Sequence, residues 1–170
     1  MITTNAKEVA RRIEAKRRKV EAQVRKEVEK SAKDIRSMLY ARTPVAPTFT
    51  AITTTSGRRT TPFTHTGGRA RASFTNSPWE SGDAIFNLNL AQFDATIGTN
   101  VPYFLFIEEG TRAHGPTTKK FLRFGLPASG VIFAKWVRGI RPMKIIFRTR
   151  MTWARIWPQR AKEAVRRGLM

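Results

Sequence analysis

Cysteine is absent from this 170-residue chain, and histidine occurs only twice, at His65 and His114. The first absence excludes disulfide frameworks, thiolate zinc sites and thiol nucleophiles together. The second leaves any metal site to lean on carboxylates. Carboxylates are scarce as well: twelve Asp and Glu stand against thirty-two Lys and Arg, for a net charge of +20. Metal chemistry is therefore not expected. Long apolar runs are also missing. The longest, residues 101–107, is far too short to span a bilayer. Met1 leads into a charged segment and not into the apolar stretch of a secretory signal. A soluble protein made in a cytoplasm is expected.

What is present argues for a folded chain. Hydrophobic residues make up 41%, with eleven Phe and four Trp, enough for a packed core and unlike a disordered basic tail. The length suits one domain, able to bury roughly two thirds of its unfolded surface. The charge is unevenly spread. Residues 138–170 hold ten Lys or Arg against one acid, Glu163, and residues 1–43 hold thirteen against six. Such an imbalance points to a polyanionic partner, nucleic acid or acidic protein, and keeps identical copies apart in solution.

Residues 1–43 read as a long basic N-terminal helix, running from about residue 5 to 42. Asn5 is placed to cap it, with Glu8 completing a capping box. The apolar positions Val9, Ile13, Val20, Val24, Val28, Ile35 and Leu39 recur at four- and seven-residue spacings, a narrow stripe on a charged rod. The rod would be on the order of 55 Å long, more than one domain of this size can cover. Part of it, Val20 and Val24 included, is expected to dock on a neighbouring subunit. Pro44 ends it. Residues 44–66, rich in Thr and Pro, read as an extended loop or arm.

Residues 67–148 read as an antiparallel β core. Alternation predicts strands at 69–74 (Ala70, Ala72 and Phe74 inward, Arg69 and Arg71 outward), 84–90, 93–98, 119–124, 131–137 and 144–148. A short helix over 101–109 is inserted, capped by Asn100 with Pro102 in its first turn and stopped at Gly110. Residues 149–170 read as a basic C-terminal helix carrying Pro158 as a kink or break. The fold class is α+β.

Enzymatic readings are weak. Glu108, Glu109 and His114 lie near one another in sequence, but His114 sits in an Ala-His-Gly-Pro turn. No H-E-x-x-H, phosphate loop or G-x-S-x-G occurs, so no catalytic residue, cofactor or metal ligand is assigned. Zinc-finger and RNP-like patterns are missing too, and the spread of basic residues suits phosphate electrostatics better than base reading. Glu108 and Glu109 end a helix, where the macrodipole disfavours negative charge. A compensating cation is expected, either Arg112 or an arginine of a neighbouring subunit.

Three segments together resemble the head–tail joining, or tail-completion, family of long-tailed bacteriophages, also described as putative minor tail components. The first is Thr66-Gly67-Gly68-Arg69-Ala70-Arg71-Ala72-Ser73-Phe74, similar to the family's Thr-Gly, Leu-Arg, Ser-Ile stretch. The second and most specific is Tyr103-Phe104-Leu105-Phe106-Ile107-Glu108-Glu109-Gly110-Thr111-Arg112, similar to Tyr-Ala-x-Tyr-Val-Glu-x-Gly-Thr. The third runs from Ile132-Phe133-Ala134-Lys135 to Pro142-Met143-Lys144-Ile145-Ile146-Phe147. Ala70 stands where the family favours Leu, Phe104 replaces a small residue, and residues 48–65 look like an insertion.

The resemblance implies a non-catalytic virion protein of the neck or upper tail, without cofactor, in a sixfold or twelvefold ring around the DNA channel. Its partners would be the head connector, tail-tube or tail terminator proteins, and the genomic DNA passing through without sequence preference. No membrane partner is expected. Glu108, Arg112, Val20 and Val24 become subunit-interface candidates. Arg58, Arg59, Arg69 and Arg71 become candidates for the channel wall, and the C-terminal helix could grip an acidic neighbour. The alternatives are a tail terminator, or a cytoplasmic non-specific nucleic-acid-binding protein; a small nuclease is the enzymatic rival.

Overall fold

The computed structural model describes residues 3–45, 49–51, 54–55, 58–59, 63–65, 68–75, 83–118, 120–126 and 130–170. The chain is α+β: a long N-terminal helix and a C-terminal helix pack against each other, with short hairpins and two short helices set around them.

The first helix, α1, spans Thr3–Arg42. It begins ahead of Asn5, so Asn5 lies inside it and is not its cap. Its exposed face is laced by ion pairs four residues apart, among them Arg17–Glu21, Arg18–Glu14 and Lys33–Glu29, each worth a few tenths of a kcal/mol. Thr43 stops it, with both its N–H and its hydroxyl bonded to the Leu39 carbonyl, and Pro44 follows.

In the arm, β1 (Phe49–Ala51) pairs antiparallel with β4 (Phe63–His65), and β2 (Thr54–Thr55) pairs with β3 (Arg58–Arg59). The segment expected to be a loop thus carries two nested ladders.

Residues 69–74 are not a strand. Arg69–Ala72 form a short helix, α2, entered through Gly68 at φ 102°. The buried residues are Ala70, Ser73 and Phe74, a helical i, i+3, i+4 set. A four-residue Arg-Ala alternation fits either period, and Ala and Arg are both strong helix formers.

The best-formed hairpin joins β5 (Ala84–Asn89) to β6 (Asp94–Thr99), in register from Ala84↔Thr99 to Asn89↔Asp94. Arg36 stacks over Phe86 at 5.0 Å and Arg25 over Phe93 at 5.9 Å, fastening this hairpin to α1. A second hairpin pairs β7 (Leu122–Leu126) with β8 (Gly130–Ala134). Among the described residues the strands form four separate two-stranded ladders and not one continuous sheet. The antiparallel pairing expected over 67–148 is thus present as two-stranded sheets, with the short helix inserted between β6 and β7.

Between the two hairpins lies α3 (Phe104–Glu109). It starts at Phe104, with Tyr103 and not Asn100 at its cap position, because residues 102–103 form a turn. The last helix, α4, spans Ile145–Leu169 and continues through the exposed Pro158. Residues 145–148, expected as a strand, are its first turn.

The core gathers Leu39 of α1, Ala70 of α2, Phe74, Val101, Phe104 of α3 and Ile145 of α4. Phe74 and Phe104 meet edge to face, with centroids 5.5 Å apart, a geometry that adds about 0.5–1.5 kcal/mol to their burial. One small core therefore ties α1, α2, α3 and α4 together.

Candidate assembly surface

The segment Tyr103 to Arg112 works as a clasp between α3 and α4. Phe104 is buried in the core. The Glu108 carboxylate accepts the backbone N–H groups of Ile145 at 2.6 Å, Ile146 at 3.0 Å and Phe147 at 3.2 Å. These are donors that α4 leaves without intrahelical partners, and the helix dipole there favours an anion. No local side chain caps α4, whose preceding residue Lys144 adopts a left-handed conformation. Glu108 supplies the cap from a distant part of the chain.

The backbone reinforces the clasp. Met143 N–H donates to Ile107 O and Lys144 N–H to Glu108 O, while Thr111 N–H donates to Ile140 O. Gly110 lies at φ 76°, and a Cβ there would come within 2.5 Å of Ile140 O. Glycine is thus required both by the dihedral and by the close approach.

Within the subunit, the charge that compensates Glu108 is the positive end of α4 and not Arg112. Arg112 is exposed, and no ion pair joins it to Glu108 among the described residues. His114 pairs through its backbone with Val137, its ring is exposed with Nδ1 at 3.3 Å from Arg112 O, and no hydrogen bond joins it to Glu108 among the described residues. Among the described residues no cluster of three His, Asp or Glu gathers as a metal site.

The helices α1 and α4 run antiparallel, held by a ladder of specific contacts. Arg42 donates to the hydroxyls of Thr149 and Thr152. Arg160 pairs with Asp34 and also reaches Glu27 at 3.7 Å, and Arg167 donates to Glu27 at 3.0 Å. Glu27 is buried, so two arginines share one nearly dry carboxylate. Gly168 sits against Val20, where a Cβ would fall 2.5 Å from the Val20 Cα. Val20 and Val24, both half-buried, therefore belong to the region where α1 meets α4, and Val20 packs within the subunit. Sequence reasoning missed Glu27, although Glu27, Ser31 and Asp34 follow a helical spacing along the apolar stripe.

Beyond Gly168, α1 has no cover. Every residue from 5 to 19 is exposed, Ile13 at 63%. At 1.5 Å per residue, residues 3–19 extend about 25 Å past this crossing.

The four arginine candidates divide. Arg69 grips Asp83 through two bonds, at 2.7 and 3.1 Å. This holds the Asp83 carboxyl below its ordinary value of 3.8, the bond to Arg69 outweighing the cost of burial, with the guanidinium charge adding to it. Arg71 donates to Thr43 O at 2.8 Å and stacks over Tyr40. Both serve the packing of α2. Arg58 and Arg59 form β3, opposite Thr55 and Thr54; their side chains lie outside the described residues.

Among the described residues, no helix is long and apolar enough to cross a membrane. Comparison with protein-family models, with curated proteins and with solved structures finds no match to this chain.

Proposed function

We propose that this protein is a structural component of a bacteriophage neck or upper tail, one subunit of a ring that completes the tail and joins it to the head. Its work is assembly, not catalysis, and it needs no cofactor. In the virion it meets a head connector on one side and a tail-tube or terminator protein on the other, and genomic DNA passes through the ring.

The observation that carries this reading is the surface the subunit leaves open. Residues 5–19 of α1 are exposed along their whole length, Ile13 among them. Large apolar side chains remain on that surface, including Leu105, Phe106, Phe133 and Trp136. A projecting helix and exposed aromatics are what a subunit presents when neighbours complete its packing. The Tyr103–Arg112 clasp adds support, since it couples the family-like segment to the orientation of the whole C-terminal helix.

The test is genetic and visual. Inactivating the gene in its phage should leave DNA-filled heads and separate tails, with joining restored by added purified protein. Normal, infectious virions lacking the protein would overturn the proposal.

A further inference from the structure

Where the C-terminal end of α1 meets the first turns of α4, the surface opens into a groove of about 650 Å³. Its walls carry two kinds of chemistry. Arg42, Arg148 and Arg155 supply positive charge, and Met143, Phe147 and Met151 supply apolar surface. Phe147 is 55% exposed and Met151 45%. On α4, Arg148 and Arg155 stand seven residues apart, two turns or about 10.5 Å, and Met151 lies between them on the same face.

The three arginines are poor in carboxylate partners. Arg42 donates to the neutral hydroxyls of Thr149 and Thr152. Arg148 and Arg155 make no ion pair with any described residue. Glu108 is already held by three backbone N–H groups at the start of α4. By contrast Arg160 and Arg167, further along α4, are paired with Glu27 and Asp34.

We propose that this groove docks an acidic amphipathic segment of a partner protein, with carboxylates on Arg148 and Arg155 and apolar side chains against Phe147 and Met151. Exposed Phe and Met beside arginine are the residue types enriched at protein interfaces, and Met adapts its shape to the side chain that meets it. Nucleic acid fits less well, because a phosphate backbone leaves the apolar wall uncovered. A second copy of this chain fits less well too. Its twelve acids include no acidic amphipathic segment, and several are already engaged within α1 or between α1 and α4. The inference rests on the groove alone and stands apart from the neck reading.

Fluorescence anisotropy on the full chain tests it with four labelled probes: a Leu–Glu amphipathic helical peptide, its Leu–Lys counterpart, oligoglutamate and a short DNA duplex. The Leu–Glu peptide should bind most tightly and retain binding at high salt. Reversing both charges, Arg148→Glu with Arg155→Glu, should weaken it about a hundredfold, tenfold for each charge-assisted bond that can no longer form. The same variant should shift preference to the Leu–Lys peptide, and unchanged circular dichroism would show that it folds. Phe147→Ser should weaken the Leu–Glu peptide while leaving oligoglutamate binding as it was. Oligoglutamate or duplex binding as tightly as the Leu–Glu peptide would overturn the proposal, as would a folded charge-reversed variant of unaltered affinity.

Discussion

The Glu108 carboxylate accepts the Ile145 N–H at 2.6 Å, so the glutamate that closes α3 also opens α4. Together with the backbone bonds from Met143 and Lys144, this side chain fixes the two helices to one another. Replacing it by alanine leaves the first N–H groups of α4 without an acceptor. Glu108→Ala should cost about 1–2 kcal/mol in urea unfolding, and Glu108→Gln less, since an acceptor remains. Glu109→Gln should stay within about 0.5 kcal/mol, as expected of an exposed side chain. A Glu108→Ala protein with the wild-type urea midpoint would remove the cap from the account of the fold.

Gly168→Ala offers a test whose sign is informative. In an exposed helix interior this change is favourable by about 1 kcal/mol. Here the new methyl would meet the Val20 backbone at 2.5 Å, and backbone does not give way cheaply. A loss of about 1–3 kcal/mol by thermal unfolding is expected from forcing the helices apart. A stabilised variant would mean that α1 and α4 do not cross at this point.

Buried and exposed glutamates on α1 should behave differently. Glu27→Gln leaves Arg160 and Arg167 facing an uncharged group in the α1–α4 interface and should cost about 1–3 kcal/mol. Glu14→Gln breaks the exposed pair with Arg18 and should cost no more than about 0.5 kcal/mol. Equal effects in chemical denaturation would contradict the burial of Glu27.

Asp83 predicts a pH dependence. Its folded pKa is lowered below 3.8 by the bonds from Arg69. The stabilisation is therefore present above the unfolded value and is lost as pH falls through the folded one. Wild-type stability should decline as pH drops below about 4, and Asp83→Asn should be less stable at neutral pH with a shallower acid decline. An Asp83→Asn variant with the wild-type acid profile would show that another carboxylate governs it.

If the ring surrounds DNA, its wall must offer cations to phosphate. Of the four arginine candidates, Arg69 and Arg71 are tied to Asp83 and Thr43, so the test falls on Arg58 and Arg59 of the arm. Binding to two unrelated duplexes should be alike and should weaken steeply with salt. Substituting both arginines by glutamine should reduce the log–log salt slope by about 0.9 for each phosphate that is no longer neutralised. A sequence preference that survives high salt would indicate base reading instead.

Much of this architecture is legible in local pattern. The four- and seven-residue recurrence of Val and Ile on a charged background specifies α1, and Pro44 marks its limit. The alternation of Phe86 and Leu88 specifies β5, and Gly110 marks a bend that needs positive φ. These features depend on neighbours within a few residues, where period and side-chain geometry act directly.

Other features depend on contacts the sequence does not display. Arg69 to Ala72 alternate as a strand would, yet form a helix, because burying Ala70, Ser73 and Phe74 together requires helical spacing. The start of α4 moves forward to Ile145 because its cap arrives from Glu108, 37 residues earlier. Val20 reads as an open apolar position until Gly168 closes over it. In each case local propensity is worth only tenths of a kcal/mol per residue, while burial and capping contribute one or more. The sequence by itself determined where helix and strand are possible; the tertiary contacts, being larger, decided which of them formed and which side chains remained free for a partner.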